Sequence, residues 1–69
     1  MKNFIISFDI PREMNSLRVR VFRKLKKNDA RMIHESLWES PSLQNLIDTA
    51  LTIKQHGGKS KILEEKFIF

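Results

Sequence analysis

Asp9 is the residue of this chain that packing alone explains least well. It stands near the end of the apolar run Asn3-Phe4-Ile5-Ile6-Ser7-Phe8-Asp9-Ile10, just before Pro11. A buried carboxylate without a partner is costly, so Asp9 must lie near solvent, accept hydrogen bonds, pair with a cation or bind a metal ion. Two interpretations stay open. Asp9 either organises the turn at Pro11 through backbone amides or is a functional carboxylate.

A second group of residues suited to chemistry is cationic and free of balancing acids. Between Glu13 and Asp29 the chain has no acidic residue, and its bases there are Arg18, Arg20, Arg23, Lys24, Lys26 and Lys27. On a helix at about 100° per residue, Arg18 projects from within the apolar stripe. The set that projects outward is Arg20, Arg23, Lys24 and Lys27. A charge run is usually a solvated face, but without balancing acids this one favours contacts with a phosphate backbone.

Residues 30–39 are predicted to form a second strand that carries His34, Ser36 and Trp38 on one face. Glu35 interrupts the opposite, aliphatic face, which indicates either a bulge or a face that is only partly buried. His34 in such a setting is more often structural than a base or a ligand. Trp38 is more often a core or interface residue than a platform for base stacking.

Several classes of site are excluded by the sequence itself. The chain has no glycine-rich phosphate loop, nucleophile elbow or dinucleotide-binding fingerprint. It has no cysteine and only two histidines, which argues against a structural metal. Gly57-Gly58 is predicted to end a helix rather than to cradle a phosphate.

The length and charge of the chain bear on its partners. The sequence has 69 residues, and we predict a single domain spanning 1–69. So short a chain buries only about 60% of its unfolded surface, and no disulfide is available, so oligomerisation as a homodimer is expected to stabilise it. Thirteen lysines and arginines against eight acids give a net charge of +5, which favours an anionic partner such as nucleic acid.

The apolar runs of the sequence bear on the cellular location of the protein. No apolar run approaches the roughly 20 residues of a membrane span, and the N-terminal apolar run reads as a strand rather than a signal peptide. We therefore expect a cytoplasmic protein without a membrane partner.

The elements that position these residues are predicted in the order strand, helix, strand, helix, strand. β-Branched and aromatic residues mark the first strand, and Asn15 or Ser16 is predicted to cap the first helix. Ser40 is predicted to cap the second helix, with Pro41 in its first position. The predicted ranges are 3–10, 17–27, 30–39, 41 to 55 or 56, and 60–69.

Side-chain alternation divides the first strand between two faces. Phe4, Ile6, Phe8 and Ile10 share one face, and Asp9 lies on the other. The second helix is expected to turn its apolar residues toward the core: Leu43, Leu46, Ile47, Ala50 and Leu51. Because two helices cover one side of a sheet only, the other face is left for a partner. We expect that face to carry Ser7, Asp9, His34, Ser36 and Trp38, with Phe67 and Phe69 pairing in the same sheet or with a partner subunit.

Three of these features together resemble a known family. A strand ending in Ser7-Phe8-Asp9-Ile10 is followed by an arginine-rich helix and then by Glu35-Ser36-Leu37-Trp38-Glu39. This looks like the small CRISPR-associated subunit of spacer acquisition, the partner of the integrase, and is similar to the related virulence-associated protein D toxins. The resemblance implies an α+β, ferredoxin-like fold: two helices packed on one face of an antiparallel sheet, dimerising through the other face.

The resemblance also implies roles for particular residues. Asp9 corresponds to the strand-end aspartate, two copies of which would hold a divalent ion such as Mg²⁺ at the dimer interface for phosphodiester hydrolysis. Ser36 and Trp38 match the second-strand motif. Arg31 lies one residue farther from the serine than the family's arginine does. Members have an extra strand before the second helix, for which Ser40-Pro41 leaves little room.

The sequence therefore predicts a nucleic-acid-binding subunit of CRISPR spacer acquisition that acts as a dimeric adaptor. The sequence leaves open whether the chain is also a metal-dependent endonuclease, in which Asp9 would be the catalytic and metal-binding residue. The alternatives are a ribonuclease toxin like virulence-associated protein D and a small protein–protein module. The predicted nucleic-acid contacts are Arg18, Arg20, Arg23, Lys24, Lys27 and Arg31. The predicted interface residues are Ser36, Trp38, Phe67 and Phe69.

Overall fold

A computed structural model describes residues 3–64 and contains two helices and a four-stranded antiparallel sheet. The elements in chain order are β1 (Phe4–Asp9), α1 (Asn15–Lys27), β2 (Arg31–His34), β3 (Leu37–Ser40), α2 (Leu43–Gln55) and β4 (Lys59–Glu64). The strand order across the sheet is β2-β3-β1-β4. This β-α-β-β-α-β arrangement is the α+β, ferredoxin-like architecture that the sequence predicted, with both helices packed against one face of the sheet.

The prediction of one strand over residues 30–39 is wrong, because the segment folds back on itself as a hairpin. Glu35 and Ser36 form a two-residue turn, and His34 pairs with Leu37 across it. A shift of register between Met32 and His34 adds the irregularity that the broken alternation indicated. The hairpin supplies the additional strand for which Ser40-Pro41 was expected to leave little room.

The face assigned to Trp38 is also wrong. Trp38 lies opposite Ile6 in the β1–β3 pair, and residues directly opposite share a face. Ile6 is 0% exposed and Trp38 is 1% exposed, so both lie in the core beneath the helices. The Trp38 indole N–H donates to the carbonyl oxygen of Glu35 at 3.2 Å, and the ring meets Phe22 edge-to-face with centroids 5.1 Å apart. Trp38 therefore offers no exposed surface to a partner.

Helix α1 lies over this core through one stripe of aliphatic residues. Its buried residues are Leu17, Val21 and Leu25. The helix begins at Asn15, and Met14 holds the cap position with no side-chain hydrogen bond. The prediction that Asn15 or Ser16 caps the helix is therefore wrong.

Helix α2 buries a row of side chains adjacent to the row that the sequence predicted to face the core. Leu46, Thr49 and Ile53 are buried, whereas Leu43, Ile47 and Leu51 are 40%, 36% and 52% exposed. The cap is Ser42, whose hydroxyl accepts from the backbone N–H of Asn45 at 3.2 Å, rather than Ser40. Ser40 instead accepts from the backbone N–H of Ser42 at 3.1 Å.

The helix end at Gly57-Gly58 is confirmed. Gly57 adopts φ +89°, the left-handed region that glycine enters without a Cβ clash. Strand β4 then pairs with β1 along its described length. The interface residues predicted at Phe67 and Phe69 lie outside the described residues.

Candidate nucleic-acid interface and the Asp9 notch

The end of β1 places Asp9 on the face of the sheet away from the helices. Ile6 and Ile10 are buried on the helix side, and Asp9 is exposed opposite Lys59 of β4. The strand-parity prediction for Asp9 is therefore confirmed as a matter of position. Its functional role stays a prediction.

The turn after β1 is closed by backbone groups. The backbone N–H of Met14 donates to the carbonyl oxygen of Pro11 at 2.9 Å. Within residues 3–64, no hydrogen bond or ion pair engages the Asp9 carboxylate. This disfavours the interpretation of Asp9 as a turn organiser and leaves its oxygens available to a ligand.

The hairpin tip brings Ser36 to the end of β1. The backbone N–H of Phe8 donates to the carbonyl oxygen of Ser36 at 3.1 Å, which continues the β1–β3 pairing one step past Leu37. A notch of about 290 Å³ lies at this corner, which we call the Asp9 notch. Its lining residues are Phe8, Asp9, Ile10, Pro11, Arg12, Arg18 and Ser36.

Arg18 enters the Asp9 notch from the first turns of α1. Its guanidinium lies 3.9 Å from the Glu35 carboxylate, and both side chains are substantially exposed. A solvent-exposed pair at this distance contributes little to stability. Arg18 can therefore leave Glu35 for a phosphate without a large loss of folding free energy.

The sequence indicated Asp9, Arg18 and Ser36 separately, and the structure brings all three to the Asp9 notch. Arg12 also lines the notch and was missed. The signal was its position directly after the strand-ending Pro11, where a turn returns the chain toward the strand end. Two guanidinium groups and a hydroxyl suit an anion such as phosphate.

The outward surface of α1 carries the remaining cations. Arg20, Arg23 and Lys27 are exposed, and within residues 3–64 they form no ion pair. Lys26 lies over the Phe22 ring at 5.1 Å from its centroid. We call Arg20, Arg23 and Lys27 the α1 basic face.

Two residues predicted for this surface lie elsewhere. Lys24 flanks the buried stripe on the side of α2, and its ammonium lies 3.4 Å from the hydroxyl of Thr52, to which it donates. Arg31 pairs in register with Glu39, on the open face of the sheet, and its guanidinium lies 3.5 Å from that carboxylate. The structure therefore does not bring Lys24 or Arg31 together with the α1 basic face.

The described residues of one chain contain no group of three or more metal-ligating side chains. A metal ion at Asp9 would rely on this carboxylate, on waters and on groups from outside the single chain. Mg²⁺ binds through one or two carboxylates while keeping several waters, so a site completed by the Asp9 of a second copy fits the donor chemistry.

No protein-family model matches the chain, and none of the curated proteins resembles it significantly in sequence. Neither helix within residues 3–64 is both long enough and apolar enough to cross a membrane.

Proposed function

We propose that this chain is a cytoplasmic nucleic-acid-binding subunit of CRISPR spacer acquisition, working as a dimeric adaptor beside an integrase. The observation that carries the proposal is the α1 basic face. Arg20, Arg23 and Lys27 are exposed and unpaired among the described residues, on a helix whose sequence contains no acid. An uncompensated cationic helix face is suited to a phosphate backbone.

The architecture supports this role in a second way. The helices occupy one side of the sheet, so a dimer formed through the open face would leave α1 of each copy on the outside. Two basic faces related by a two-fold axis suit a duplex, whose own backbone is related by two-fold symmetry. The apolar side chains available for that dimer are Ile5, Leu37 and Leu63, of which Leu63 is 54% exposed.

The test is salt-dependent binding of duplex DNA by the Arg23→Glu, Lys27→Glu double variant. Each lost phosphate contact reduces the magnitude of the slope of log K against log salt by about 0.9, and a dimer with both α1 basic faces on the duplex loses two contacts per subunit. The slope should therefore flatten by about 3.6, equally for unrelated sequences. Single variants supply the matched control. Arg23→Glu should flatten the slope by about half as much, whereas Lys54→Glu makes the same charge change on α2, away from α1 and from the open face of the sheet. Equal losses in these two single variants would contradict the assignment to α1.

The Asp9 notch supports a second candidate, hydrolysis of a phosphodiester. An unengaged carboxylate lies beside Arg12, Arg18 and Ser36. Arg12 and Arg18 would hold and neutralise the phosphate. Asp9 would hold Mg²⁺, which when bound lowers the pKa of a coordinated water.

A further inference from the structure

The solvent-facing side of α2 carries an apolar row. Leu43, Ile47 and Leu51 recur every four residues and are exposed, while the adjacent row already supplies the buried contacts of the helix. Side chains four residues apart lie one above the other on a helix. The row is therefore continuous and spans about 12 Å.

Part of this row forms a groove between α2 and β4, which we call the α2–β4 groove. Its volume is about 780 Å³. Ile47 and Leu51 line it together with Phe8, Ala50 and Ile62. Its volume exceeds that of the Asp9 notch, which is about 290 Å³.

Gly58 allows β4 and α2, the two sides of this groove, to pack closely. A Cβ built on Gly58 would lie 2.6 Å from Cγ2 of Ile53 and 3.3 Å from the carbonyl oxygen of Asp9. The absence of that atom lets the start of β4 lie directly against the end of α2. The groove is therefore bounded by ordered secondary structure on both sides.

The charged residues that line the groove are predominantly cationic. Lys54, Lys59 and Lys61 line it, and Asp9 is the acid among the lining residues. Asp9 lies opposite Lys59 in the β1–β4 register but forms no ion pair within residues 3–64, so the lining has three lysines and one carboxylate. An apolar groove with lysines beside it is complementary to an apolar segment that carries acids.

Two other occupants fit these observations less well. A second copy bound by the same groove would bring together two linings that each carry a net positive charge, and these would repel each other. A nucleic acid would satisfy the lysines but leave Ile47 and Leu51 in water.

We propose that the α2–β4 groove docks an amphipathic, acidic helix of a partner protein. Its apolar residues, spaced at i, i+4 and i+7, pack on Ile47, Leu51 and Ile62, and flanking carboxylates meet Lys54 and Lys61. This surface is separate from α1, so partner binding and nucleic-acid binding are independent properties of the chain.

The probe is a fluorescein-labelled, designed helical peptide of roughly 16 residues, with leucines at that spacing and glutamates beside them. One control peptide replaces the glutamates by lysine, and another replaces the leucines by serine. Fluorescence anisotropy with the full chain should show binding of the acidic, leucine-bearing peptide alone. In the protein, methyl NMR signals of Ile47 and Ile62 should shift on peptide addition, while Ile33, exposed on the far edge strand β2, stays unchanged.

Leu51→Glu should weaken peptide binding by about tenfold or more, because it removes an apolar anchor and adds repulsion. Lys61→Glu should weaken it by about threefold or more. Arg23→Glu, on the α1 basic face, should leave it unchanged. Both groove positions are exposed, so unaltered circular dichroism melting should confirm folding of both variants.

Equal binding of the lysine or the serine peptide would overturn the proposal, as would an absence of binding by all three. Loss of self-association in Leu51→Glu, seen by sedimentation, would also overturn it by assigning the groove to a second copy. Duplex DNA binding should be unchanged in Leu51→Glu, which separates failure here from failure of the proposed nucleic-acid function.

Discussion

The backbone N–H of Phe8 donates to the carbonyl oxygen of Ser36 at 3.1 Å, directly before Asp9 in the chain. The hairpin tip is therefore fixed to the end of β1 by main-chain atoms, with no contribution from the Ser36 side chain. Ser36 lines the Asp9 notch at a position that the backbone determines, and within residues 3–64 its hydroxyl makes no hydrogen bond. A substitution of Ser36 therefore tests the role of its hydroxyl without removing the main-chain hydrogen bond between the hairpin tip and β1.

Under the hydrolytic proposal, Asp9→Asn is expected to abolish metal-dependent cleavage of nucleic acid while folding and duplex binding persist. The amide keeps the shape of the carboxylate but loses the charge that holds a divalent cation. Cleavage of labelled DNA and RNA with and without Mg²⁺ measures the effect, and anisotropy measures binding on the same samples. Ser36→Ala is the companion variant, and it should retain metal dependence. Undiminished cleavage by folded Asp9→Asn would end the hydrolytic proposal.

Leu63→Glu is expected to shift the proposed dimer toward monomer. Leu63 is 54% exposed and lies opposite Ile5 on the open face of the sheet, so a carboxylate there would be buried in a face-to-face dimer. Sedimentation velocity at micromolar concentrations should show the shift. Leu51→Glu makes the same change at a position with 52% exposure on α2 and should leave the dimer intact. A wild-type monomer at these concentrations would contradict the dimer.

Trp38→Ala is expected to lower the free energy of unfolding by about 3–5 kcal/mol. The substitution empties the site between Ile6 and Phe22 and leaves the Glu35 carbonyl oxygen without its donor. Urea unfolding measures the loss, and Val19→Ala at an exposed position of α1 should change it by less than about 0.5 kcal/mol.

Wild-type Trp38 fluorescence should resist iodide quenching even in dilute, monomeric samples, because the ring is covered by its own chain. Quenching as strong as that of free tryptophan would contradict the assigned face.

The error over Trp38 has a physical origin in the hairpin turn. Two-residue hairpin loops are usually marked by glycine, asparagine or aspartate, which accept positive φ. Glu35-Ser36 carries no such mark, so residues 30–39 read as one strand. Glu35 then appeared to interrupt an aliphatic face, although it lies in the turn itself. Without this break, side-chain alternation places Ile33 and Leu37 together on the aliphatic face opposite Trp38, and that face then fits the core.

The first strand was predicted more accurately, because Pro11 and the apolar run fix both its end and its alternation. The alternation of side chains along the strand was enough to predict that Asp9 lies on the face of the sheet away from the helices. The composition of the Asp9 notch was beyond reach, since Arg12, Arg18 and Ser36 meet only when α1 and the hairpin tip fold to the same corner.

Helix α2 illustrates a different limit. Its apolar residues fall in two adjacent rows, and periodicity cannot say which one the sheet covers. The choice depends on tertiary packing that involves Gly58 and Ile53. The row left outside is the one that lines the α2–β4 groove.

Gly58→Ala is expected to lower the free energy of unfolding by about 1–3 kcal/mol, as for other overpacked sites. The new Cβ would lie 2.6 Å from Cγ2 of Ile53. Because the Ile53 side chain is fully buried in the core, it cannot move away easily. Ile53→Leu removes that methyl group at similar volume, so the double variant should recover part of the loss. Additive effects in the double-mutant cycle would show that the clash is not with Ile53.

Strand β2 is exposed at all of its residues, from Arg31 to His34, and within the described sheet it pairs on one side only. A segment with so little buried surface opens at a lower free energy than the core strands. Its amide hydrogens should therefore exchange with solvent sooner than those of β1. Each such opening would move Glu35 away from Arg18, while the hydrogen bond from Phe8 keeps Ser36 at the end of β1. Opening of β2 would therefore release Arg18 to an anion in the Asp9 notch.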